Sequence, residues 1–279
     1  MDFHNETAIV TGATSGIGKK IAELLLDAGC KVAICSRNAE HVQNTMNEFH
    51  SKYGDRVFGN QCDVSDPNQI KEFVTKVVQT FGSIRILIAN AGLSLSYGPF
   101  EYLSPESVAF EAKTIINTNL LGVINTISIV LPQMKKQDYG RIITLSGGGA
   151  ERPIDNMTLY SASKGGVLAF SRCLAVEFEK SQKNIKLNIF QPGMQKTGLT
   201  TIAKVVPGWR DPSSVSEDLD LVLKYMGGEL DSSCRKILPF VSSSCKKCGQ
   251  IIRGVPIMKM ITGGIKLQKE MKQKKETTK

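Results

Sequence analysis

Thr7-Ala8-Ile9-Val10-Thr11-Gly12-Ala13-Thr14-Ser15-Gly16-Ile17-Gly18 decides the fold. Its first five residues are an apolar, β-branched run that reads as a buried strand. The glycines that follow open a helix, with apolar residues at helical spacing from Ile17 to Ala28. Glycines here permit a tight turn and let backbone approach a ligand closely, while the free N–H groups and dipole of a helix start favour negative charge. Gly12, Thr14, Ser15, Gly16, Ile17 and Gly18 are therefore candidates to hold a nucleotide pyrophosphate.

Outward from that stretch, short apolar runs alternate with helical patterns. Lys31 to Cys35, Val57 to Gln61, Arg85 to Ala89, Arg141 to Leu145 and Ile185 to Phe190 read as strands. Helices fit Val42 to Lys52, Asp66 to Phe81, Pro105 to Lys136 and Leu159 to Lys180, with Asp66 as N-cap and Pro67 in the first helical position of its helix. Near-continuous apolar strands joined by helices predict an α/β fold: a doubly wound parallel sheet of about seven strands with helices on both faces, in a single domain over residues 1–264. Beyond Gly193 the periodicity weakens, with a helix at Asp218 to Met226 and a strand at Gln250 to Arg253. Residues 193–264 are expected to supply a lid and the C-terminal elements, and 265–279 a basic, disordered tail.

Composition narrows the function classes. The chain has 279 residues, 41% hydrophobic content and a formal charge of +9, enough to bury one sizeable core. Lys266 to Lys279 holds six lysines against two glutamates, with no aromatic residue among them for stacking, so no nucleic-acid partner is expected. No uninterrupted apolar run approaches membrane-spanning length, and the N-terminus lacks the charge and apolar core of a secretory signal; the expectation is a cytoplasmic protein without a membrane span. Seven cysteines, an odd number, read as reduced thiols. Cys234, Cys245 and Cys248 lack a nearby histidine to complete a tetrahedral zinc site, so no metal is expected.

The chemistry centres on Tyr160-Ser161-Ala162-Ser163-Lys164, at the start of a helix that follows a strand and a glycine-rich loop, Gly147 to Gly149. Tyrosine and lysine four residues apart share one face of a helix. Bringing a tyrosine from a pKa of about 10 to about 7 takes roughly 4 kcal/mol. One cation about 4 Å away at an effective dielectric of about 20 supplies roughly that much, less the desolvation of both groups. Lys164 can thus make Tyr160 a proton donor for the alkoxide that forms when a carbonyl accepts a hydride.

The glycine spacing, Tyr160-x-x-x-Lys164, Asn90-Ala91-Gly92, Asn119 and Pro192-Gly193 occur together in one order. Over about residues 5–200 the chain resembles the short-chain dehydrogenase/reductase family in its ordinary short form, which implies a Rossmann-type sheet and an NAD(P)(H) cofactor. The resemblance implies that Tyr160 donates the proton, that Lys164 also holds the nicotinamide ribose, and that Asn119 holds a water for a relay to Lys164. It further implies that Asp63-Val64 contacts the adenine, that Asn90, Ala91 and Gly92 line the ribose, and that Pro192, Gly193 and Thr197 position the carboxamide. Cys35-Ser36-Arg37-Asn38 ends the second strand with no acid before Glu40. Arg37 can pair with a 2′-phosphate and Ser36 can add a hydroxyl, so NADP(H) is preferred over NAD(H).

One position departs from the family pattern. The substrate-orienting serine is expected thirteen residues before the tyrosine, and that count falls on Gly147, beside Ser146. Three consecutive glycines allow unusual backbone angles, so the glycine loop is expected to re-aim Ser146 into the site. Pocket walls are expected from Leu93 to Ser104, Ala150 to Leu159 and Met194 to Met226, segments with many apolar residues and few charges, which implies a small, moderately apolar carbonyl or alcohol substrate. The resemblance implies a homodimer or homotetramer through the two long helices. The alternative function is a catalytically degenerate NADP(H)-binding protein with a regulatory or structural role.

Overall fold

The apolar run Thr7–Thr11 forms β1, buried along its whole length in the centre of a sheet. The computed structural model describes residues 3–4, 6–198 and 204–277, with side chains to Gln273. Beside β1 lie β2 (Lys31–Ser36), β3 (Val57–Gln61) and β4 (Ile86–Ala89). A two-residue strand β5 (Ser96–Tyr97) stands apart, and β6 (Tyr139–Leu145) and β7 (Asn184–Gln191) continue the sheet. A short β8 (Lys204–Val205) pairs with β5, and β9 (Ile251–Arg253) forms the far edge. The seven-stranded order is β3-β2-β1-β4-β6-β7-β9, parallel throughout.

Helices cover both faces because the strands are apolar on both. On one side, α1 (Gly16–Asp27) and α2 (Ala39–Tyr53) bury Ile21, Leu25 and Phe49 against β1 and β2. On the other, α3 (Pro67–Phe81), α4 (Pro105–Ile116), α5 (Gly122–Lys136) and α6 (Thr158–Lys180) return the chain across the sheet, with Phe73, Val130 and Val167 in that core. Asp66 caps α3 by accepting from the Asn68 N–H, with Pro67 in its first turn, as the sequence implies. Chain order reverses between β1 and β4, which opens a crevice beyond the carboxyl ends of the strands.

The helical run Pro105–Lys136 is continuous but not uniform: Asn117–Leu121 is a π-helical turn between α4 and α5. By length and composition alone this run could cross a membrane, yet 44% of its most apolar window is buried inside the fold, against α3, α6 and the sheet. The region where sequence periodicity weakens forms α7 (Pro212–Met226), α8 (Leu230–Arg235), α9 (Leu238–Val241), β9 and α10 (Ile257–Thr277); α7 contains the helix expected at Asp218 to Met226, and β9 falls within the strand expected at Gln250 to Arg253. The basic C-terminal segment differs from the expected disordered tail. It is helical to Thr277, because α10 packs along α7 and Glu270 meets the Tyr225 hydroxyl and the Lys224 ammonium. Residues 278–279 of that tail and 199–203 of the expected pocket wall lie outside the described residues.

All seven cysteines are unpaired. Cys234 lies in the core on one face of the sheet and Cys248 in the core on the other, so the sheet separates two of the three thiols that might have shared a metal.

Candidate active site

The turn after β1 is shaped by contacts as well as by its own backbone. Gly12 has φ +63°, and a Cβ at Gly18 would meet the Asn90 amide nitrogen at 2.3 Å and the Gly12 carbonyl at 2.5 Å, so a side chain there would break the turn. Asn90 fastens it: its Nδ2 donates to the Thr11 and Gly12 carbonyls at 2.8 and 3.1 Å, while the Asn90 and Ala91 N–H groups donate to Thr11 Oγ1. The end of β4 is thereby locked to the end of β1.

A cleft of about 320 Å³ opens over this turn. Gly12, Thr14, Ser15, Gly16, Ile17 and Gly18 line its floor, Ser36 and Arg37 one end, and Val64, Asn90, Ala91 and Gly92 one wall. Ser146, Tyr160, Lys164, Pro192 and Thr197 complete it. Two expected cofactor residues stand differently. Asp63 spends its carboxylate on the Ser65 N–H and hydroxyl at 2.9 and 2.8 Å, making a turn that leads into α3 while its neighbour Val64 lines the cleft. Gly193 lies on the wall of a neighbouring apolar cavity.

Tyr160 and Lys164 share one face of α6, as their spacing requires, but the ammonium is not aimed at the phenol oxygen. Lys164 Nζ donates to the Leu145 carbonyl at 3.0 Å and lies 5.7 Å from the centre of the Tyr160 ring. Burial then dominates both groups. It pushes the Tyr160 phenol up to about 12 and the Lys164 ammonium down to about 8. Where the sequence predicts a lowering of the tyrosine pKa by Lys164, burial raises it instead. Tyr160 keeps its proton at neutral pH, which is the form a proton donor needs.

Asn119 sits in the π-helical turn, fully buried. Its Nδ2 donates to the Leu93 carbonyl and to Ser163 Oγ at 2.9 and 3.0 Å, and its Oδ1 accepts the Leu93 N–H at 2.8 Å. The carboxamide thus ties the loop after β4 to α6. The widened turn that presents it is a feature that often marks functional positions in helices.

Ser146 is buried, and its hydroxyl donates to the Lys164 carbonyl at 3.2 Å. Ser146 lines the cleft with Tyr160 and Lys164, as expected, with its hydroxyl engaged by that backbone carbonyl. Position 147 is the one that faces the tyrosine, since a Cβ at Gly147 would stand 2.9 Å from Tyr160 Oη.

Past Gly147 lies a second cavity of about 320 Å³. Its walls are Gly147, Gly148, Gly149, Pro153, Ile154, Met226, Val255, Ile257, Met260 and Ile261, with Glu151, Arg152 and Arg253 among the lining residues. Arg253 pairs with Glu151 at 2.8 Å, joining the end of β9 to the loop after β6. The sequence pointed to the Ala150 to Leu159 and Met226 walls; it missed Val255 and α10, whose approach depends on how the C-terminal third folds back. The Leu93 to Ser104 segment pairs through β5 with β8, where Tyr97 and Trp209 rings lie 6.0 Å apart, and its Ser94, Ser96, Gly98, Phe100 and Leu103 line, with Met157 to Tyr160, a small recess beside the tyrosine, as the sequence reading expected of both segments.

Three comparisons place this architecture among known proteins. A family model described as short chain dehydrogenase matches residues 6–204. The Staphylococcus aureus (strain MW2) protein named uncharacterized oxidoreductase MW2403 is 32% identical over 216 residues, covering 76% of this chain and 88% of that protein. Among solved structures, a single-site variant of actinorhodin polyketide ketoreductase with NADPH is similar at TM-score 0.78 and 26% identity, over 91% of this chain and 97% of that one. A 3-ketoacyl-(acyl-carrier-protein) reductase from Brucella melitensis complexed with NADH shares the fold at TM-score 0.75 and 23% identity, over 90% and 96% of the two chains. The matched residues run from the start of β1 to β8 and include the glycine turn, the π-helical asparagine and the tyrosine–lysine helix, so the chain belongs to the short-chain dehydrogenase/reductase family.

Proposed function

We propose that the protein reduces a carbonyl to an alcohol, or runs the reverse reaction, with NADP(H) as hydride carrier and Tyr160 as proton donor. The observation that carries this reading is that the glycine turn, Arg37, Lys164 and Tyr160 all line one cleft, while an apolar cavity begins at Gly147 beside the tyrosine hydroxyl. The residues present fit a nicotinamide dinucleotide: a glycine turn at a helix start suits the pyrophosphate, and an exposed Arg37 at the end of β2 suits a 2′-phosphate. When bound, the cofactor supplies the hydride.

The chain's own residues do the rest. Tyr160 holds a proton next to the cavity, and Lys164 can turn from the Leu145 carbonyl toward the ribose. Asn119 fixes the loop that carries Gly92 against Lys164, while Ser146 fixes the Lys164 backbone. Substrate is a moderately apolar carbonyl compound, supported by the isoleucine and methionine walls of the cavity. Seven unpaired thiols suit a reducing, cytoplasmic setting. Phe110, Leu121 and Val176, exposed on the two long helices, suit a homodimer or homotetramer face.

A second reading, a cofactor-binding protein without turnover, is favoured by one observation: position 147, which faces the Tyr160 hydroxyl, is a glycine, and the Ser146 hydroxyl is engaged by the Lys164 carbonyl. Following NADPH absorbance with a panel of apolar ketones and aldehydes separates the two. Consumption of NADPH with any of them supports the reductase; tight NADPH binding without consumption on the whole panel supports the second reading.

A further inference from the structure

We infer that α10 docks the protein onto the surface of an anionic lipid bilayer. At 100° per residue, Ile257, Ile261, Ile265 and Met258 fall within about a quarter of the helix circumference. They are 43%, 44%, 53% and 68% exposed. The opposite side, with Gly263, Leu267 and Glu270, is turned to the protein, where Glu270 meets Tyr225 and Lys224 of α7. Among the described residues, the outward face is left about half open by this fold. Farther along the helix, exposed Lys269 and Lys272 continue the outward face, and exposed Lys266 borders it on one side.

Charge selects the occupant. Apolar side chains bordered by lysines on one exposed helix face match the boundary between acyl chains and anionic headgroups, which rewards both features at once. A second copy paired in parallel on this face would bring the same lysines together, and an antiparallel pair is separated from lipid docking by self-association measured beside vesicle binding. Nucleic acid is disfavoured because the face carries isoleucine and methionine, and no aromatic ring for a base to stack on.

The placement also bears on the active site. Ile257 and Ile261 line the apolar cavity together with Met260, so the outward stripe is continuous with the cavity wall. An apolar substrate dissolved in the bilayer would meet the cavity at its α10 side. That consequence rests on the reductase reading, whereas docking does not, and vesicle binding is measured separately from turnover.

The test uses the full chain and vesicles of phosphatidylcholine with or without phosphatidylglycerol, at low and high salt, read by co-sedimentation. The expected result is binding at least about tenfold tighter to the anionic vesicles, weakened by salt. Lys266→Glu/Lys269→Glu should reduce it about tenfold, and so should Met258→Asp/Ile265→Asp, at sites that do not line either cavity. Thermal unfolding and NADPH affinity serve as checks on folding, and the lysine pair, being exposed, keeps the test decisive where the apolar pair fails to fold. Equal binding to neutral vesicles, no binding to either, or variants that bind like the parent would each overturn the inference. So would self-association abolished by Met258→Asp/Ile265→Asp in a chain that never sediments with vesicles.

Discussion

Tyr160 and Lys164 are liabilities to folding before they are assets to chemistry. Lys164 is almost fully buried, and burial lowers its pKa from 10.5 to about 8. The penalty for carrying that charge is fully present below about pH 8 and is relieved as pH rises toward 10.5, so stability from this group increases across that window. Lys164→Met should therefore stabilise the protein at neutral pH by about 1–2 kcal/mol, after loss of the hydrogen bond to Leu145, while abolishing turnover. Denaturant unfolding at neutral pH and near pH 10 checks it; the gain should shrink at the higher pH. Ser146→Ala removes one hydrogen bond to the Lys164 carbonyl and should cost about 1 kcal/mol of stability, with kcat falling less than about tenfold. A loss as large as that of Tyr160→Phe would return Ser146 to the substrate-orienting role. The tyrosine and lysine were legible because a four-residue spacing fixes a shared helix face; the serine's direction was not, because its partner is a backbone carbonyl on another element.

Elements show the same division. Strands β1 to β4 and the capped helix α3 could be read from apolar runs, Asp66 and Pro67, since these signals are local. The π-helical turn could not, because Asn119 is stabilised there by Leu93 and Ser163, far away in sequence. Asn119→Ala should leave the Leu93 N–H and carbonyl short of partners and lower stability by about 1–3 kcal/mol, visible as a reduced Tm. Arg141 was read only as the start of a strand. It is 1% exposed, donates to the carbonyls of Gly140, Asn184, Ser242 and Ser243, and so staples the segment before β9 across β6 and β7. Arg141→Leu should cost about 2–4 kcal/mol, since several buried carbonyls lose a charged donor together; denaturant midpoints measure it. Likewise β5 and β8, α8 and α9 escaped the sequence because each is only two to six residues long.

At the scale of the whole molecule, the parallel sheet joins two compartments at its carboxyl edge, one fitted to a dinucleotide and one apolar. The first was legible from the glycine turn; much of the second was not, since it is walled by a C-terminal third with weak periodicity. Arg37→Ala should reduce the preference for NADPH over NADH by about tenfold or more, read as the ratio of kcat/KM values, because a 2′-phosphate loses a charge-assisted partner. The central claim is that Tyr160 gives its proton to a carbonyl reduced at the junction of the two compartments. Its most direct test is the rate of NADPH consumption by the parent and by Tyr160→Phe, with an apolar ketone that the parent reduces and with NADPH affinity measured in parallel. Unchanged affinity and a rate lower by about 10²–10⁴ are expected for Tyr160→Phe. Equal rates in the two proteins would contradict it.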